Sequence, residues 1–184
     1  MIDYLIKTPR LGLRTWQTDD LDAFAVINAD PEVMRYFPSA LSREETAAFI
    51  ERLQKHQAEN DYCYFAADVL ETGELIGFIG IARQTYLKNP PTFTDIGWRL
   101  KQSAWGKGLA TEGANAVLNF AFRNTDVAEI YSVCSVVNFP SERVMQKIGM
   151  QHQRIFRHPK LTNSPRLEKC HLYCIKKEDF TARQ

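Results

Sequence analysis

The stretch "DIGWRLKQSAWGKGLATEG", Asp95 to Gly113, reads as a strand, a glycine turn and the start of a helix. Gly106 and Gly108 remove two β-carbons at that junction, so the main chain there is free to take positive φ and to approach a ligand closely. The first turn of the following helix leaves N–H groups unpaired and carries a partial positive charge. Together these make a corner suited to a phosphate or a diphosphate. Lys107 either adds a cation to it or stands solvated.

Several folds use such a corner. A P-loop requires G-x-x-x-x-G-K-[ST], which does not occur in this sequence. A dinucleotide fingerprint wants glycine or alanine where Gly106-x-Gly108-x-x leads to Thr111, and it normally follows the first strand of a parallel βαβ unit. Here the turn comes late, after a hairpin. A tight connection with no ligand is the bland alternative.

Outward from that stretch, "RLGLRTW" alternates as an early strand, and "TDDLDAFAVINAD" places Leu21, Phe24 and Ile27 at helical spacing with Thr18 or Asp19 as cap. A short helix through Val33 and Met34 ends before Pro38. Ser42-x-x-Glu45 is a capping box opening "SREETAAFIERLQKHQ", with Ala48, Phe49, Leu53 and His56 near one face. "YCYFAADVL", the turn "ETGE" and "LIGFIGIARQ" read as a hairpin. After "TDIGWRLK" comes a helix with Leu109, Ala116, Val117 and Phe120 inward. Strand "EIYSVCSVV", helix "SERVMQKIG" and closing strands "MQHQRIFRH" and "EKCHLYCIKK" complete the chain. Helices first, then a hairpin-rich sheet with two late crossovers, predict an α+β fold with a mixed sheet.

At 184 residues a single domain, 1–184, is expected. Twenty-three basic against 22 acidic residues leave a formal charge of +1, too little for a global field that would hold nucleic acid or an anionic membrane. No run approaches the roughly 18 apolar residues of a membrane helix. The start lacks the apolar core and cleavage site of a secretory signal. Cys63, Cys134, Cys170 and Cys174 have no framework spacing, so reduced thiols in a cytoplasmic protein are expected. Cys170-His171-x-x-Cys174 falls in an alternating strand-like run without a second ligand pair, and no metal is expected.

"WGKGLA", Trp105 to Ala110, resembles the [Q/R]-x-x-G-x-[G/A] signature of the GNAT superfamily of acetyl-CoA-dependent N-acetyltransferases, with Trp in the first position. That replacement and the following "ATEG" are similar to the RimJ/RimL branch, where W-G-[KR]-G-x-[AG]-T-E is usual. "NFPSERVMQKIGM" is similar to that branch's N-x-x-S-x-x-[VL]-[ML]-x-K-[LI]-G-[FM] segment, and "TPRLGLRTWQTDDLDAF" resembles its opening strand and helix. The likeness covers nearly the whole chain.

The resemblance implies a mainly antiparallel twisted sheet flanked by helices, with a central V-shaped splay between "WRLK" and "IYSVCSV". Acetyl-CoA would lie in the V. Main-chain groups of Trp98, Arg99 and Leu100 would pair with its pantetheine amides as an added strand does. Trp105, Gly106, Lys107, Gly108, Leu109, Ala110 and Thr111 would cradle its diphosphate, and Asn138, Ser141 and Arg143 would lie beside the pantetheine arm. Asn138 alone also reads as a helix cap. Asp95 would be the base that takes a proton from the attacking ammonium, through water because it is one methylene shorter than the family's glutamate. A solvated or structural aspartate is the other reading. The family's tyrosine acid falls at Met145, leaving Ser141 as a relay or donor, with Tyr173 more distant. The acceptor, a small amine or a protein N-terminus, would meet Pro31–Ser42, Thr85–Phe93 and His158–Lys169, which carry Tyr36, Phe37, Tyr86, Phe93 and His158 and no dominant acidic cluster. A monomer or homodimer is expected. A non-catalytic CoA-binding module is the alternative class, and a nucleotide-dependent oxidoreductase the remaining enzyme rival.

Overall fold

Alternation on either side of Gly73 folds into the expected hairpin, and the computed structural model, which describes residues 3–182, builds a sheet around it. In chain order the elements are β1 (Ile6–Lys7), β2 (Leu11–Arg14), α1 (Asp20–Ala29), α2 (Pro31–Met34), α3 (Arg43–Asn60), β3 (Tyr64–Val69), β4 (Glu74–Gln84), β5 (Phe93–Leu100), α4 (Leu109–Asn124), β6 (Glu129–Ser135), α5 (Phe139–Lys147), β7 (Gln151–Arg157), β8 (Lys169–Lys176) and α6 (Lys177–Thr181). The sheet order is β1-β2-β3-β4-β5-β6-β8-β7. All neighbours are antiparallel except β5 and β6. The α+β class and mixed sheet are as expected. β1, α6 and the insertion of β8 between β6 and β7 go beyond the sequence reading.

Period-two side chains of β4 divide the core into two layers. Phe78 meets Phe24 of α1 and Phe49 of α3, with ring centroids 6.2 and 5.9 Å away. Its neighbour Ile79 points to the other face, where a β-carbon on Gly113 of α4 would collide with it. A glycine there lets helix and sheet approach closely. Leu109, Ala114, Val117, Leu118, Ala121 and Phe122 bury the rest of α4. Ala116 and Phe120, expected inward, are only half-buried, because the smaller residues take the face nearest the sheet.

The capping box forms: Glu45 N–H donates to Ser42 Oγ at 3.1 Å, and Ser42 N–H to Glu45 Oε2 at 2.7 Å. The inward face of α3 is rotated from the expected one, with Thr46, Ile50 and Leu53 buried and Ala48 exposed. Thr46 is tolerated inside because its hydroxyl donates to Ser42 O and accepts from Asn28 Nδ2, at 2.8 and 3.2 Å. Asp19 occupies the cap position of α1 but makes no side-chain cap bond. Asp20 is instead drawn to Arg14, whose guanidinium is forked between Asp20 and Asp68, with three contacts of 2.7 Å. Burial opposes the charge on Arg14, yet the hydrogen bonds it donates to both carboxylates raise its pKa above the ordinary value.

β5 and β6 share one residue pair, Asp95 with Tyr131, and then diverge. This is the expected splay. Ser132 Oγ donates to Ile96 O at 2.9 Å, the last bridge before the gap opens. No described helix is long and apolar enough to cross a membrane.

Arg14→Met would leave Asp20 and Asp68 buried without their cation, and we expect a loss of about 3–5 kcal/mol in denaturant unfolding. A loss under about 1 kcal/mol would contradict the role given to this cluster.

Candidate active site

Because side chains and main-chain groups both alternate along a strand, β5 presents different chemistry in different directions. Lys101 N–H donates to Ile76 O on the β4 side. Arg99 and Gly97, two and four residues back, face β4 in the same way, so Trp98 N–H and C=O and Leu100 N–H face the gap. Leu100 O, also on that side, accepts from the indole N–H of Trp105 at 2.7 Å. Trp105 therefore fastens the glycine turn to the end of β5, a task that glutamine or arginine in its position would perform differently.

Gly106 and Gly108 both have positive φ, 72° and 78°. A β-carbon on Gly106 would meet nothing within 4 Å, and one on Gly108 only Arg10 Nη2 at 3.7 Å. Backbone conformation, not crowding within the chain, calls for glycine here. The amides that follow open α4, whose 16 residues put a helix N-terminus at the corner. A diphosphate thus fits the open space over the turn on both steric and electrostatic grounds.

The turn is held from below by contacts that the sequence reading missed. Arg10 Nη1 donates to Lys107 O at 2.9 Å and its Nε to Glu112 Oε2 at 2.7 Å, while Thr8 Oγ1 donates to Glu112 Oε1 at 2.6 Å. Glu112 belongs to the "ATEG" motif. Partial burial opposes its charge, but these bonds prevail and hold its pKa below the usual carboxylate range. Arg10 in turn neutralises a carboxylate that would otherwise repel an anion at the helix start.

A cavity of about 430 Å³ runs from this turn around the open edge of β5. It brings together Trp98, Arg99, Leu100, Trp105, Gly106, Gly108, Leu109, Ala110, Thr111, Asn138, Ser141 and Arg143. Lys107 is exposed and is not among the residues around it, so its carbonyl, held by Arg10, is the part built into the turn. Asn138 caps α5, with Oδ1 accepting from Ser141 N–H at 3.2 Å. Ser141 Oγ accepts from Trp98 Nε1 at 3.2 Å across the gap. Met145, in the place of the family's tyrosine, is buried.

Asp95 lies on the other face of β5, among Tyr64 and Gln84, and is not in the cavity wall. Tyr64 O–H donates to its Oδ1 at 2.5 Å, and Gln84 Nε2 is 3.5 Å away. Burial pushes the carboxyl up to about 7 against these donors. That value suits a proton acceptor working near neutral pH. His56 is structural, bonded to Tyr62 O and to Arg83 N–H at 2.9 Å each. Tyr173 donates to Glu142 at 2.8 Å. Neither Tyr173 nor Glu142 lines the cavity. Cys170 and Cys174 are buried strand residues of β8.

A splayed pair of central strands beside an anion-holding turn defines an acyl-carrier site of the kind found in acetyltransferases. The model of the acetyltransferase (GNAT) domain matches residues 10–151, and the chain belongs to that family of acetyl-CoA-dependent N-acetyltransferases. It is 30% identical over 153 residues to the uncharacterized N-acetyltransferase YnaD of Bacillus subtilis, covering 83% of this chain and 85% of the relative. The crystal structure of an acetyltransferase (GNAT family) from Bacillus anthracis superposes with a TM-score of 0.77 at 27% identity, covering 94% of this chain and 98% of that one. RimL, a ribosomal L7/L12 alpha-N-protein acetyltransferase solved with coenzyme A, shares the fold at 16% identity and TM-score 0.75, over 94% of this chain and 97% of its own.

Gly108→Ala forces an L-residue to positive φ at a strain of roughly 1–2 kcal/mol. We expect a small drop in melting temperature and a fall in CoA affinity of tenfold or more by calorimetry. Unchanged affinity would show that the turn is only a connection.

Proposed function

We propose that the chain transfers the acetyl group of acetyl-CoA to a primary amine by direct attack within a ternary complex, with Asp95 as the base acting through water. The carrying observation is Asp95 itself, a carboxylate with a pKa of about 7 placed where the two central strands part. In this reading the amides from Gly106 to Thr111 hold the diphosphate. Trp98 and Leu100 pair through their gap-facing main chain with the pantetheine, and Asn138, Ser141 and Arg143 flank it.

The amine nitrogen forms its bond to the acetyl carbon as the carbon–sulfur bond breaks and the electron pair leaves on sulfur. The ammonium proton passes through water to Asp95. Tyr64 holds the carboxylate in place and partly offsets the cost of its burial. A gap-facing N–H of β5 stabilises the carbonyl oxygen as it gains charge. Ser141, which accepts from Trp98 Nε1, serves in this reading as a relay to the departing thiolate, which is a good enough leaving group to depart without an acid. The RimJ/RimL-like motifs "WGKGLATE" and "NFPSERVMQKIGM" favour a protein α-amine as acceptor. Aromatic walls at Tyr36 and Phe37 suit small amines as well, and fold alone does not choose between them.

Since Asp95 must be ionised to accept a proton, kcat/KM falls as pH drops below about 7. Tyr64→Phe removes a donor that favours the carboxylate, so that limb moves to higher pH; a profile identical to the parent's would remove Tyr64 and Asp95 from the mechanism.

Asp95→Asn is expected to lower turnover by roughly 10²–10⁴-fold with CoA affinity nearly intact. The substitution also acts on stability. Between the ordinary value of 3.8 and the folded value of about 7 the folded chain binds more proton than the unfolded one, so stability falls as pH rises through that window. The asparagine variant escapes that loss, on the order of 2–4 kcal/mol, and melts higher than the parent at pH 8. A lower melting temperature with undiminished turnover would sink the assignment.

A further inference from the structure

Arg99 stands out among the buried charges of this protein. Its main-chain groups turn toward β4 and not into the gap as expected from the sequence, and its side chain leaves the strand on the face of Asp95, opposite Trp98 and Leu100, because the β4–β5 register runs without a shift. Only 8% of the residue is exposed. Nη1 donates to Asn28 Oδ1 at 2.7 Å, while Nε is fully buried without a partner among the described residues. Three rings surround the guanidinium, those of Phe37, Phe49 and Phe78, at 4.1, 5.6 and 5.4 Å. Burial pulls its pKa down to about 10, with Tyr64 as the opposing influence, so it remains charged at neutral pH.

A buried cation is ordinarily matched by an anion, as Arg14 is by Asp20 and Asp68. Arg99 has no such match among the described residues. It does line the cavity, where the acid Glu32 is already engaged by Arg35 at 3.2 Å. Arg35, Arg143 and Lys147 line that cavity as well. Arg166 Nη1 ties the β7–β8 connection to Arg35 O at 3.1 Å, and Lys160 Nζ sits 5.4 Å from the Tyr86 ring. Arginines and a lysine with Glu32 as the one acid of the described lining are the wrong surroundings for a polyamine and the right ones for an anion.

We propose that Arg99 docks a carboxylate of the amine acceptor, so that the substrates are amines that also carry a carboxylate, as amino acids and short peptides do. This rests on the acetyl transfer proposed above. Asp95 and Arg99 share one face of β5, four residues and about 13 Å apart along the strand. An amine placed for attack at one end therefore directs its carboxylate toward the other when several bonds separate the two, as in an ω-amino acid or a short peptide. The planar fork of a guanidinium accepts a carboxylate in two bonds, and Nε would gain its missing partner. Phosphates of the cosubstrate are the competing anions, but the glycine turn that suits them lies at the end of β5, fastened through Trp105 to Leu100.

The test is a panel of α-amino acids, ω-amino acids of increasing length and dipeptides, each beside its carboxamide, with spermidine as a polyamine control. Thiol release is followed, together with the melting temperature of the CoA-loaded protein. The carboxylates are expected to turn over, or to raise that melting temperature, at concentrations at least tenfold below their amides. Arg99→Gln should raise KM for the accepted carboxylate by on the order of tenfold to a hundredfold and leave KM for acetyl-CoA unchanged, and Arg99→Lys should recover part of the loss. Equal use of amides, preference for spermidine, no response to any carboxylate, or a KM effect confined to acetyl-CoA would each overturn the proposal. Failure to bind CoA in calorimetry would instead overturn the acetyl-transfer reading beneath it.

Discussion

The parting of β5 from β6 after the single pair Asp95–Tyr131 is the constraint on which the rest depends. Elsewhere each strand of the described sheet is laddered to its neighbours, but here the main-chain groups of Trp98 and the N–H of Leu100 face a gap. Leaving such groups dry and unpaired costs about 1–3 kcal/mol each. An open, wettable cleft between the strands lowers that cost, and a ligand carrying amides of its own can take the place of the missing strand. Ser132, bonded to Ile96 O, marks where the sheet stops and the cleft begins. Trp105, bonded to Leu100 O, closes its far end and holds the glycine turn in line with it.

Charge is managed in two ways on one face of the sheet, where Arg14 and Arg99 stand in the same cross-strand row. Arg14 is enclosed by Asp20 and Asp68 and knits β2, β3 and α1 together. Asp95 and Arg99 are buried without such compensation. One has its pKa raised by desolvation and the other has an unpartnered nitrogen. Both lower the stability of the free protein, and both lie beside the splay. Uncompensated buried charge is commonest where a protein does chemistry. In the proposed reaction the carboxylate receives a proton and the guanidinium an anion.

What could be read from the sequence was what local pattern encodes. The strand–turn–helix of Asp95–Gly113, the Ser42/Glu45 box and the hairpin about Gly73 each depend on residues within a few positions of one another. The cavity lining follows from the same motifs, with Lys107 as the residue displaced from it. Contacts between distant segments left no such trace. Tyr64 reaches Asp95 across 31 residues, and Glu112 meets Arg10 across 102. Arg99 reads in the sequence as one more residue of a strand that faces a ligand, but its main chain turns to β4 and its side chain enters a cage of rings from distant segments. Of the face expected for α3, Leu53 is buried and Phe49 packs on the core, but Ala48 is exposed, and Thr46, polar by type, is inside because it finds hydrogen-bond partners there.

A crystal structure of the protein with acetyl-CoA tests the central claim most directly. The account predicts the pantetheine between β5 and β6, paired with Trp98 and Leu100, and the diphosphate about 3 Å from the amides following Gly106 and Gly108. A cosubstrate bound outside the cleft, with β5 and β6 closed upon each other, would contradict it.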